Sequence, residues 1–128
     1  MRAPCSYDYA IIRVVPRVER EEFMNVGVIV SCPALEYLAA RIELDEGRLL
    51  ALAPGVDLDL VRENLASIPA ICAGTGPIGR LTLRERFHWL VAPRSTMIQT
   101  SAVHTGRSDD PSQLLEQLLR KMVRTGGR

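Results

Sequence analysis

Residues 9–44 read YAIIRVVPRVEREEFMNVGVIVSCPALEYLAARIEL, and the way this stretch divides decides the fold. Residues 9–15 are apolar and rich in β-branched side chains, the pattern of a strand buried on both faces. Pro16 lacks an amide donor and is expected to end the pairing. Residues 25–32 repeat the strand pattern until Pro33 stops it. Between the two strands, Arg17, Glu19, Arg20, Glu21 and Glu22 nearly cancel in charge, so the segment reads as a solvated connection. Val18 and Phe23 are expected to tuck that connection onto the sheet. Asn25 and Gly27 need a structural reason, because a buried strand has little room for a polar side chain. A glycine there suggests a bulge or a close approach by another backbone. Residues 36–44 alternate Tyr37, Ala39, Arg41 and Glu43 against Leu38, Ala40, Ile42 and Leu44, a period of two that marks a strand with one wet face. Three successive strands with short links predict an antiparallel meander.

Beyond residue 44 the apolar period becomes helical. Residues 45–55 predict a short helix ended by Pro54 and Gly55. Leu58, Val61, Leu65 and Ile68 mark a second helix with Asp57 as its cap and Pro69 as its end or kink. Residues 73–80 read as a loop, and residues 81–92 as a helix with Leu83, Phe87, Leu90 and Val91 on one face. Residues 95–106 mix β-formers with hydroxyls and predict an edge strand. Asp110, Pro111 and Gln113 form the start signal of a last helix, with Gln113 at the third position of a capping box. Its stripe is Leu115, Leu118, Leu119 and Met122, and Gly126 and Gly127 end it. The expected class is α+β: a mostly antiparallel sheet of about four strands with helices packed on one face.

The chain of 128 residues fits one domain over 1–128, large enough to bury a core without disulfides or metal. A net charge of +1 advertises neither nucleic acid nor a membrane surface. Cys5, Cys32 and Cys72 lie far apart with no CxxC pair, which suggests neither a zinc site nor a disulfide framework. Reduced thiols, no apolar leader and no run long enough to span a membrane together lead us to expect a cytoplasmic protein.

Several polar groupings are candidates for chemistry. Arg80, Arg84 and His88 fall at i, i+4 and i+8 of the expected helix, with Arg94 just past it; residues 80–94 hold four arginines against Glu85 alone, a local charge of +3. Such a stripe suits a phosphate or an acidic partner surface, although a solvated helix face is the commoner outcome. Trp89 beside it is read first as a core contact and second as an exposed interface anchor. Gln99, His104 and Arg107 sit in the hydroxyl-rich stretch, where a histidine and a serine could serve nucleophilic chemistry. No G-x-S-x-G frames any serine there, so hydroxyls satisfying backbone groups are the simpler reading and no residue is assigned a catalytic role. The match of Gly74, Gly76 and Gly79 to G-x-G-x-x-G fails for want of a preceding strand, and Pro77 deletes an amide. Two histidines without carboxylates at ligand spacing imply no metal site, and no cofactor is implied. Charge is also segregated: residues 33–79 hold seven acids against Arg41, Arg48 and Arg62, while Arg120, Lys121, Arg124 and Arg128 make the C-terminal stretch +4.

Residues 7–30, residues 80–111 and the terminal leucine-rich helix together resemble a short bacterial family, domain of unknown function 3037, over nearly the whole chain. The resemblance implies no catalytic residues. It does imply a gene neighbourhood with HipA-like kinases, and hence an accessory or binding partner of such a kinase. Two function classes follow. One is an interaction module docking through the arginine-rich helix and the polar strand. The other is a small enzyme or nucleotide/phosphate-binding protein, which requires Arg84, Arg94, His104 and Arg107 to converge. Nucleic-acid binding is a weaker third, because aromatic platforms are few. An exposed edge strand would suit a homodimer.

Overall fold

The computed structural model describes residues 4–124, so the expected helix end at Gly126 and Gly127 falls outside the described residues. Three long β segments follow one another, β1 (Cys5–Arg17), β2 (Glu22–Cys32) and β3 (Tyr37–Ile42). Helices α1 (Glu46–Leu52), α2 (Leu58–Cys72), α3 (Gly76–Gly79) and α4 (Leu83–Val91) come next. Two short strands, β4 (Ile98–Thr100) and β5 (His104–Ser108), then lead into α5 (Pro111–Met122). The sheet order is β3-β2-β1-β4, with β5 beside β1 on the same edge as β4, and every pairing is antiparallel. The expected α+β class with an antiparallel meander is therefore the observed one.

The strand limits differ from the sequence reading at Pro16 and at Ser101. Pro16 does not end β1; it lies in an irregular segment between the pairs Val14↔Met24 and Arg17↔Glu22, where a missing amide costs no ladder bond. The connection shrinks to one 3₁₀ turn, closed by Glu21 in the left-handed region at φ 54°. Arg17 pairs with Glu19 and Arg20 with Glu22, so the charged bend neutralises itself. Val18 and Phe23 stay exposed at 48% and 47%, not tucked onto the sheet; the Phe23 ring instead carries the Arg13 guanidinium, 4.2 Å from its centroid. The expected edge strand over residues 95–106 is broken in two. At the break Ser101 N donates to Ile11 O (2.8 Å), while Ile11 N donates to the Ser101 hydroxyl (2.9 Å). A side chain thus replaces one backbone partner of the ladder.

Gly27 sits where β1, β2 and β3 crowd together. A Cβ there would lie 2.6 Å from the Arg41 carbonyl oxygen and 2.8 Å from Ile42 Cδ1. The ladder jumps from Ile12↔Gly27 to Arg13↔Asn25, so Val26 is an extra, bulged residue. Its carbonyl accepts from Glu43 N at 2.7 Å, and its side chain is fully buried. The bulge resets the alternation so that Met24, Val26 and Ile29 all join the core on one face.

The helices do not share one face, and here the sequence expectation is corrected. On the first face Ile12, Val14, Met24, Val26 and Ile29 pack with Leu49 of α1, Val61, Leu65 and Ile68 of α2, and Phe87 and Leu90 of α4. On the second face Ile11, Val28 and Val30 pack with Leu115, Leu118 and Leu119 of α5 and with Val123. Tyr37 and Ala39 join this second cluster, so the side of β3 expected to be wet is half-buried under α5. Arg41 on β3 and Glu43 just past it stay partly exposed to solvent and pair with Glu116 and Arg124 from the α5 end of the chain. Pro69 neither ends nor breaks α2, which runs on to Cys72. No helix of the described residues is long and apolar enough to cross a membrane.

Candidate functional site

The segment leading to α4 begins in the expected loop. Gly74 and Gly76 take φ +90° and +77°, and a Cβ on Gly79 would strike the Gly74 backbone at 2.4 Å. These glycines fold the chain onto itself between two helices and include the short α3. They serve a turn, with no strand before them to build a phosphate cradle.

Thr82 then caps α4. Its hydroxyl accepts from Glu85 N (3.2 Å) and the Glu85 carboxylate accepts from Thr82 N (3.0 Å), a reciprocal capping box. Those hydrogen bonds to the cap hold the Glu85 carboxyl below the usual carboxylate range. The T-x-x-E spacing is visible in the sequence and was the missed signal for where this helix starts. Its consequence is that Arg80 lies before the helix, so the expected i, i+4, i+8 stripe keeps only Arg84 and His88. The box expected at α5 is half-formed: Asp110 accepts from Gln113 N at 3.1 Å. Arg86, which sequence reasoning passed over, donates from Nη1 to Ile71 O (3.1 Å) and Cys72 O (2.8 Å) and so closes the C-terminus of α2.

Arg84 and His88 are exposed and line an open depression with Glu85 and Trp89. No ion pair to Arg80 or Arg84 occurs among the described residues. Trp89 is half-buried and forms a wall shared with a second, deeper cavity of about 420 Å3. That cavity is bounded by Asn64, Ser67 and Ile68 of α2, by Leu90 and Val91 of α4, and by Ile98, Gln99 and Thr100 of β4. Arg94 folds back over it: its guanidinium carbon lies 3.3 Å from the Trp89 ring centroid, and Nη1 donates to the Trp89 carbonyl. Burial against the indole draws the Arg94 pKa below the ordinary arginine value.

The other candidates lie elsewhere. His104 pairs with Tyr9 across the β5 ladder and stacks on its ring at 5.1 Å. Arg107 donates to Pro4 O (3.1 Å), Asp8 accepts from Thr105 (2.8 Å), and Asp110 caps α5. The structure thus brings Trp89, Arg94 and Gln99 to one cavity with Arg84 and His88 next to it, and leaves His104 and Arg107 on β5 outside both. The four-residue convergence demanded by an anion-binding pocket is absent. Asn25 Nδ2 donates to Met122 O (2.9 Å) and so links β2 to the end of α5. Burial pushes the Cys72 thiol up to about 11, which leaves it protonated and unreactive at neutral pH. No cluster of three or more potential metal ligands occurs among the described residues.

Fold and surface together define a small α+β domain whose antiparallel sheet lies between two helical layers, with a basic, aromatic-bearing surface along α4. A family model described as a protein of unknown function (DUF3037) matches residues 9–123, and the chain belongs to that family. No curated protein and no solved structure matches the chain.

Proposed function

We propose that this protein is an interaction module that docks on a partner protein through the outer surface of α4. The observation that carries this reading is the contrast between its cations. Arg41, Arg62 and Arg124 each have two carboxylate partners within the chain, whereas Arg84 and Arg80 have none among the described residues. Unmatched cations beside a half-buried tryptophan suit an acidic protein surface, with Trp89 as the anchor and the charges setting orientation and encounter rate. The family resemblance makes a HipA-like kinase encoded nearby the first partner to try. Mixing that kinase with the purified chain is expected to give a co-eluting complex that weakens with salt and is lost in the Arg84→Gln/His88→Gln double variant. A chain that stays solitary with the kinase, or a complex unaffected by the double variant, would remove this reading.

A further inference from the structure

The cavity behind Trp89 has a chemical character that the outer surface does not share. Its floor is apolar, with Ile68, Leu90, Val91 and Ile98. Its volume of about 420 Å3 falls in the range of pockets that enclose a ligand group. Among the residues lining it, Arg94 alone carries a charge, and no acid faces it. The way Arg94 is held is unlike that of the structural arginines. Arg62 and Arg124 are each fixed by two carboxylates, which cancels their charge in place. Arg94 is fixed by a carbonyl and an aromatic face, which orients the guanidinium and leaves its charge without a carboxylate partner among the described residues. A guanidinium that is partly desolvated, oriented and unpaired gains from an incoming carboxylate what the other arginines already have.

We propose that this crevice receives an extended acidic segment of the docking partner, one large apolar side chain entering the cavity and an adjacent carboxylate pairing with Arg94. The inference rests on the docking reading and specifies the partner's chemistry. Trp89 borders both the cavity and the depression of Arg84 and His88, so a chain lying on α4 reaches the crevice without a break. Asn64, Ser67 and Gln99 at the margins offer amide and hydroxyl groups to a peptide backbone. An apolar group without a carboxylate would leave Arg94 as it is, and a carboxylate alone would leave the floor empty.

Trp89 is the single tryptophan of the chain, so its fluorescence reports on this crevice directly. The probe is the blocked peptide acetyl-Ala-Asp-Phe-Asp-Ala-amide, compared with its Asn-Phe-Asn and Asp-Ala-Asp versions and with free 3-phenylpropionate. A saturable change in Trp89 emission is expected with the Asp-Phe-Asp peptide, with both altered peptides about tenfold weaker or worse. Arg94→Gln should erase the preference for the Asp over the Asn peptide while its unfolding transition stays intact. No saturable change, equal binding of the Asn peptide, or an undiminished preference in Arg94→Gln overturns the proposal. So does 3-phenylpropionate binding as tightly as the peptide, which would assign the cavity to a free carboxylate. The two readings separate in the kinase assay. A complex lost in Arg84→Gln/His88→Gln but unchanged in Arg94→Gln rejects the peptide crevice and keeps the docking surface.

Discussion

On one face of the sheet Ile12, Val14 and Ile29 meet α1, α2 and α4 through apolar side chains drawn from several elements. On the other face Ile11, Val28 and Val30 meet one helix, α5, and the margin of that contact is closed by Arg41, Glu43, Glu116 and Arg124. The first cluster gathers thirteen buried residues among those described and the second seven. A broad apolar contact spreads the load, whereas a single helix on a narrow strip depends on each leucine and on its fastening. Truncation should expose this most clearly. Leu65→Ala on the first face and Leu119→Ala on the second should each cost about 2–5 kcal/mol by denaturant unfolding. Their patterns should differ: Leu65→Ala lowers hydrogen-exchange protection across the sheet, and Leu119→Ala releases α5 while β1 and β2 stay protected. Equal loss of protection everywhere in both variants would mean that the two faces behave as one cooperative unit.

A smaller effect probes the edge between the faces. Ser101 is 8% exposed and supplies the acceptor for Ile11 N where β4 gives way to β5. Ser101→Ala would strand that buried amide and should cost about 1–3 kcal/mol. A urea titration with an unchanged slope should show the loss as a lowered midpoint. A midpoint within error of the parent would mean that water or a backbone shift satisfies Ile11 instead.

Much of the first face was legible in the sequence because its signals are local. The β-branched runs of residues 9–15 and 25–32 and the spacing of Val61, Leu65 and Ile68 are each read within one segment. Gly27 announced that something approached closely, though the approaching atom, Arg41 O, is set only by strand register. The second face was misread for a physical reason. Tyr37 and Ala39 look wet by composition, yet α5 half-buries them, and Arg41 and Glu43 find their partners more than seventy residues away at Glu116 and Arg124. Charges that cancel in space do not cancel in a sequence window, so the acidic excess of residues 33–79 and the basic C-terminal stretch seemed segregated when Glu43 and Arg124 in fact meet. The candidate site follows the same rule. Arg84 and His88 could be placed by helical spacing, while Thr82 and Glu85 excluded Arg80 through a cap. Residue types gave no warning that Arg94 would double back onto Trp89, five positions before it, while His104 and Arg107 remained on a distant strand.

The fastening of α5 carries the smallest predicted effect and a definite sign. Hydrogen bonds from Arg124, with Arg41 adding to them, hold the Glu43 and Glu116 carboxyls below their ordinary value of 4.5. The unfolded chain therefore takes up protons at these two groups before the folded chain does. Their contribution is fully present above the ordinary carboxylate value and drains away as pH falls through the lower folded-state values. Side chains about one-third exposed are screened by solvent, so each pair contributes little, and added salt should weaken it further. Replacing both acids, Glu43→Gln/Glu116→Gln, should flatten the fall in unfolding free energy below about pH 4.5 compared with the parent. The α5 amides should report the change more strongly than those of α2, because α2 touches neither replaced acid and meets the sheet through Val61, Leu65 and Ile68. If acid loosens α2 and α5 together, the charged margin is not what distinguishes the two faces, and the narrow leucine strip under α5 must carry the difference unaided.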